Sequence, residues 1–144
     1  MHPVLCFTAS IFVFGLSFFA SGCQSQNEGD SPPLGRVSGH VRLDGKPLEG
    51  ATVIFNPIAG GRGSSGVTDS SGGYELDYTH NQQGAILGEH QVRINSASFA
   101  GEGAADPLLP AEYNSDTQLR FTVPASGGMA DFELKSDGSV EKVQ

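Results

Sequence analysis

Beyond residue 23 the chain has no cysteine: Cys6 and Cys23 are the only two, and both lie in the N-terminal segment. Whatever folds downstream therefore has neither a disulfide framework nor a cysteine metal site, and packing must stabilise it. Basic residues are also scarce, with 8 Lys and Arg against 16 Asp and Glu and a formal net charge of −8. A surface of that sign repels phosphate backbones and anionic headgroups, so nucleic acid is not an expected partner. The acidic residues form no run, and their plain consequence is solubility. Amphipathic helix periodicity is missing, which turns attention to strands.

The first 22 residues stand apart. Val4 to Ala20 is almost unbroken apolar sequence and ends in Ala20-Ser21-Gly22-Cys23. This resembles a bacterial lipoprotein signal, cut ahead of a cysteine whose thiol carries diacylglycerol. The resemblance implies Cys23 as the lipid attachment site, further acylated with palmitate, and residues 1–22 as a cleaved signal peptide. Ordinary signal cleavage near Ala20 or Gly22 and an uncleaved anchor remain alternatives, although the run is marginal for the ~20 apolar residues of a spanning helix. All three place the remainder outside the cytoplasm. Gln24 following the cysteine, rather than aspartate, points to a membrane-anchored lipoprotein of the outer membrane or one facing the periplasm.

Residues 23–34 are Gln, Ser, Asn, Glu, Gly, Asp and Pro with Leu34 as the only large apolar side chain after Cys23, a composition that reads as a flexible tether. About 120 residues follow the signal, enough for one domain. From Gly35 the pattern has period two: Val37, Gly39, Val41 and Leu43 share one face, and Ser38, His40, Arg42 and Asp44 the other. Asp44-Gly45 supplies a tight turn, Ala51, Val53 and Phe55 a second strand, and Asn56-Pro57 its end. Val67-Thr68-Asp69 reads as a short strand, Ser70-Ser71-Gly72-Gly73 as a turn, and Tyr74, Leu76 and Tyr78 as one further strand. His90, Val92 and Ile94 alternate with Gln91, Arg93 and Asn95, and Leu119, Phe121 and Val123 and then Phe132 and Leu134 complete the series. The expected fold is all-β, a seven-stranded antiparallel β-sandwich over residues 35–136, with residues 137–144 as a C-terminal tail.

Several segments invite a chemical reading. Gly60, Gly61, Gly63 and Gly66 beside Ser64 and Ser65 suggest a phosphate cradle, but no helix or lysine follows to complete one. Asp69-Ser70-Ser71-Gly72 suggests a calcium loop, yet the terminal carboxylate and the spaced oxygen ligands are missing, and an Asx turn suffices. His40, His80 and His90 fall on different elements, read as an exposed strand residue, a loop residue and a partly buried strand residue. Gly63-Ser64-Ser65-Gly66 is not a nucleophile elbow, since it lacks the strand-to-helix setting. Glu75 and Asp77 read as a solvated strand face rather than as a carboxylate pair for glycoside chemistry. No catalytic, cofactor-binding or metal residue is expected, and the chain reads as a non-enzyme without a cofactor.

A family resemblance rests on Gly39-x-Val41, Gly45-Lys46-Pro47-Leu48-x-Gly50-Ala51-x-Val53, Thr68-Asp69, Gly72-x-Tyr74-x-Leu76 and Gly88-x-His90-x-Val92-x-Ile94. These motifs resemble a carboxypeptidase regulatory-like domain of the transthyretin-like (prealbumin-like) sandwich group. Leu109-Pro110-Ala111-Glu112-Tyr113-Asn114 is further similar to small exported lipoproteins built from one such domain. The resemblance implies a non-catalytic module. An enzyme of the same fold, the hydrolase of 5-hydroxyisourate, ends in Tyr-Arg-Gly-Ser, whereas this chain ends Glu141-Lys142-Val143-Gln144. The expected function is a membrane-tethered structural or interaction module of the bacterial cell envelope, its partners a membrane through the lipid anchor and an envelope protein or glycan. The alternative is a small-ligand protein that binds a carbohydrate or metal ion near Ile58 to Gly66 or Phe99 to Asp116. Residues 99–116 are too long for a simple connection in a compact domain.

Overall fold

A computed structural model describes residues 31–97 and 106–140, and the signal peptide, Cys23 and most of the tether lie outside the described residues. The described chain is all-β apart from one short 3₁₀ turn. Its strands are β1 (Leu34–Gly35), β2 (Val37–Leu43), β3 (Lys46–Pro47), β4 (Thr52–Pro57), β5 (Ser64–Val67), β6 (Gly73–Glu75) and β7 (Asp77–Thr79). They are followed by β8 (Gln82–Gln83), β9 (Ala85–Ile86), β10 (Gly88–Asn95), β11 (Arg120–Val123), β12 (Gly128–Met129) and β13 (Phe132–Leu134), with the 3₁₀ turn at Ala111–Tyr113. One sheet has the order β11-β10-β4-β5-β7-β8; a second is built around β2, and β1 and β9 form a small third pair. Separate sheets over one core are consistent with a β-sandwich.

The alternation in β2 is real: Val37, Gly39 and Val41 are buried, and His40 and Arg42 are exposed. In β10, His90, Val92 and Ile94 point inward and meet β4 in antiparallel register, Val92 opposite Phe55 and Ile94 opposite Val53. Phe55 connects the layers. Its ring lies 5.8 Å from Phe121 of the first sheet and 6.3 Å from Phe132 of the second, both edge-on. Edge-to-face contacts of this kind add to the burial of the rings themselves.

Three features depart from the expected pattern. The sheet around β2 is mixed rather than antiparallel, because β12 and β13 both run parallel to β2, with Gly128 opposite Val37 and Phe132 opposite Val41. The run Tyr74 to Tyr78 is two strands, not one. β6 pairs with β2, β7 pairs with β5, and Leu76 between them donates its amide to Val37 and accepts from Gly84. Third, the strand expected at Val67-Thr68-Asp69 lies earlier, at Ser64–Val67. Thr68 instead fastens a connection: its hydroxyl donates to the Leu48 carbonyl and accepts from the Ala51 amide at 2.8 Å.

Both ends of the domain are defined by what is tied there. At one end Leu34 pairs with Ile86, Leu87 donates its amide to Pro33 at 3.2 Å, and the Gln82 amide group donates to the Ser31 hydroxyl at 3.0 Å. Ser31, Pro33 and Leu34, read from composition as part of the tether, are thus held against the domain. At the other end lie the Asp44-Gly45 turn and the segment that follows β10. Both turn residues have positive φ, 50° and 80°, the pair of angles that a two-residue hairpin requires. Asp106 holds the later segment by accepting from the amide and hydroxyl of Ser96 and from the amides of Leu108 and Leu109. Burial opposes the charged form of Asp106, but those donors outweigh it and its carboxyl stays below the usual range. Tyr113, fully buried, carries its hydroxyl to the Ser139 carbonyl and accepts from the Lys135 amide at 2.9 Å, which ties the tail to the domain.

Candidate functional site

The outer face of β2 carries an open concavity. A cleft of about 440 Å³ is bounded by Ser38 and His40 of β2, Val67 of β5, Asp69, Glu75 of β6 and Met129 of β12. A smaller hollow of about 160 Å³ adjoins it, lined by Arg42, Asp131 and Glu133, and His40 belongs to both. Val67 and Met129 are each 63% exposed, the most exposed large apolar side chains among the described residues. The site therefore offers two apolar contacts beside four carboxylates, Asp69, Glu75, Asp131 and Glu133, with Arg42 and His40 as the basic groups.

Local backbone geometry explains why these groups project here. Between β12 and β13 the chain leaves the ladder at Ala130 and Asp131, so two ladder groups need other partners. The His40 amide donates to the Asp131 carboxylate at 2.8 Å, and the Ala130 carbonyl accepts from the Tyr74 hydroxyl at 2.7 Å. Tyr74 sits opposite Gly39 in the β6–β2 register. Because Gly39 has no side chain, Ala130 can approach the strand there: a Cβ on Gly39 would lie 2.0 Å from the Ala130 oxygen. Burial, with the Asp131 charge adding to it, pushes the Tyr74 phenol well above its usual value, so it acts only as a neutral donor.

The Asp131 carboxylate also lies 3.5 Å from His40 Nδ1, but both side chains are about half exposed, and a solvated pair of this kind contributes little. Asp69 is committed to its own turn. Its Oδ1 accepts from the Ser71 hydroxyl at 2.6 Å, the Ser71 amide at 2.8 Å and the Gly73 amide at 3.0 Å, the Asx arrangement expected from the sequence. These donors, the Ser71 hydroxyl foremost, lower its carboxyl below the usual range. No group of three or more His, Cys, Asp or Glu side chains among the described residues is placed to hold a metal ion.

Of the three histidines discussed from sequence, His40 is exposed on β2 as expected, and His80 lies in the turn between β7 and β8. His90 differs. It is fully buried rather than partly so, with its ring 5.8 Å from that of Phe55. Nδ1 lies 2.9 Å from the Gly88 carbonyl, and Nε2 has no partner. If Nδ1 carries the proton and donates to Gly88, Nε2 is an acceptor facing apolar surface, and a second proton there would have no acceptor to meet. Burial accordingly holds the imidazole below its ordinary value of 6.5.

A pH dependence follows. The unfolded chain takes up this proton near pH 6.5 while the folded protein resists it, so the contribution is complete above that value and is lost as pH falls toward the lower folded value. The urea midpoint of the wild type is expected to drop between pH 7.5 and 5, a window above the titration of the carboxylates. His90→Leu should flatten that slope while changing stability at pH 7.5 by no more than about 1 kcal/mol. An unchanged slope in the variant would reject His90 as its source.

Sequence reasoning located His40 and the Asp69 turn but missed the cleft as a unit. Its parts come from β2, β5, β6 and β12, which only the tertiary pairing assembles. The exposed β5 residue Val67 and the lone Met129 carry no local signal of a shared surface. No helix among the described residues is long and apolar enough to span a bilayer. Compared with known proteins, the chain matches no family model and no curated protein.

Proposed function

We propose that this chain is a non-catalytic module of the bacterial cell envelope, tethered to a membrane through lipid on Cys23, that docks an envelope protein or glycan on the outer face of β2. In this reading the β-sandwich is of the prealbumin-like kind and the domain is carboxypeptidase regulatory-like, on the strength of the motifs from Gly39 to Ile94. The observation that carries the docking role is the cleft in which exposed Val67 and Met129 adjoin Asp69 and Glu75. Exposed apolar side chains rimmed by polar groups mark interaction surfaces more often than scattered single residues do. The carboxylates there are solvated or held in turn hydrogen bonds, which suits recognition rather than proton transfer.

The test is cross-linking and recovery from solubilised envelopes, comparing wild type with the double variant Val67→Lys, Met129→Glu. A protein or glycan partner recovered with the wild type and lost with the variant, while both melt alike, is the expected result. A partner retained equally by both would remove the cleft from the proposal. Palmitate labelling checks the anchor separately: Cys23→Ala should abolish the label, and undiminished labelling would overturn lipidation at that residue.

A further inference from the structure

We propose that the end of the domain formed by Pro33, Leu34, Ile58 and Ile86, with Arg62 beside it, rests against the lipid surface that holds the chain; this builds on the lipid anchor in the preceding section. Seven residues separate Cys23 from Ser31, so even fully extended the eight Cα-to-Cα steps between them span only about 28 Å. The first segment seen in contact with the domain is Ser31 to Gly35, clipped to β8, β9 and Leu87. That clip makes this the end at which the tether joins the domain.

The surface around the clip suits a bilayer interface. Residues 58–63 fold over Ile86: a Cβ on Gly61 would come within 2.9 Å of the Ile86 Cδ1 and 3.9 Å of the Pro57 ring. Ile58, whose amide donates to Glu89 at the start of β10, is 53% exposed. Arg62 is exposed with its guanidinium 6.0 Å from the Tyr78 ring centre, a cation on an aromatic platform. Carboxylates are present here too, Asp77 on β7 and Glu89 on β10, so apolar contact together with Arg62 and the exposed Arg36, rather than a basic field, provides the attraction.

The far end differs. Burial first, and then the charges of Asp137, Glu112 and Asp44, oppose ionisation of the Tyr113 hydroxyl, so all three carboxylates lie near it. Asp106 adds a fourth carboxylate beyond the C-terminal end of β10, and Lys46 and Lys135 offset only part of this charge. Anionic headgroups attract neither end strongly but repel this one, and the orientation follows from the difference.

The eight residues of β10 place Leu108 about 25 Å from Ile58, which provides an internal control. Leu108 is as exposed as Ile58, at 53%. With the Cys23 thiol occupied by lipid, a single new cysteine can carry a polarity-sensitive fluorophore. The lipidated chain with Ile58→Cys or Leu108→Cys is labelled and reconstituted into vesicles of phosphatidylethanolamine and phosphatidylglycerol. The expected result is blue-shifted emission at position 58, quenched by spin-labelled lipid, and water-like, unquenched emission at position 108. Ile58→Cys combined with Arg62→Glu should lose part of the quenching. Flotation of both labelled proteins with equal emission would overturn the orientation while leaving the anchor intact. Failure to float with the vesicles would instead overturn the anchor, and the orientation with it.

Discussion

Gly39→Ala is expected to destabilise the domain by about 3 kcal/mol or more, at the upper end of what overpacking does. The added methyl would sit 2.0 Å from the Ala130 oxygen and 2.6 Å from its carbonyl carbon. These are backbone atoms on a neighbouring segment, so no side-chain rotation relieves the contact. Ala130 also donates its amide to Ser38 at 2.8 Å and accepts from the Tyr74 hydroxyl, and moving it away weakens both bonds. Against a stability of roughly 5–15 kcal/mol for a domain of this size, the loss is severe. Thermal melts followed by circular dichroism measure it. Gly60→Ala is the comparison: Gly60 has a φ of 93° but nothing within 4 Å of a new Cβ, so only the backbone cost of about 1–2 kcal/mol applies. Equal losses in the two variants would mean that close approach of Ala130 is not what requires glycine at position 39.

Phe55→Ala should cost about 3–5 kcal/mol, the usual range for truncating a buried phenylalanine. Phe55 has no exposed surface and touches both layers, with Phe121 and His90 on its own sheet and Phe132 on the facing one. The cavity would open where the sheets meet, and the edge-on ring contacts would vanish with it. Phe55→Leu retains most of the volume and should lose less than half as much. Urea denaturation of the three proteins gives the comparison, and a loss below about 1 kcal/mol for alanine would show that the sheets close over the gap.

Strand positions were largely legible because alternation is a local signal. Val37 to Leu43, Thr52 to Pro57 and Gly88 to Asn95 all keep the expected inward faces. Partnership is not local, and there the reading differs. Nothing in Phe132-Glu133-Leu134 reveals that it runs parallel to β2, and Tyr74 to Tyr78 alternates without interruption although Leu76 hands the chain from one sheet to the other. Strand count suffers for the same reason, since alternation cannot show where pairing changes. The burial of Tyr113 was not legible either, although its segment was noted for its resemblance. It sits in the short 3₁₀ turn within a long connection, yet its ring is wholly buried and its hydroxyl bonds the Ser139 carbonyl of the tail. At the candidate site, the exposure of His40 was legible from β2, whereas its grouping with Val67, Glu75 and Met129 depends on which strands become neighbours.

The parallel docking of β13 on β2 sets a folding order. His40 and Asp131, bonded to each other, are 91 residues apart in the chain, and β12 and β13 supply one whole side of β2. Pairings so distant form slowly, because loop closure must precede any gain from contact. A chain without the residues from Gly128 onward has β2 with one flank empty and Phe55 without Phe132 above it. Such a chain lacks the facing layer that closes the core over Phe55. The centre of the domain is thus closed by a pairing that needs both β2 and β13 to be present.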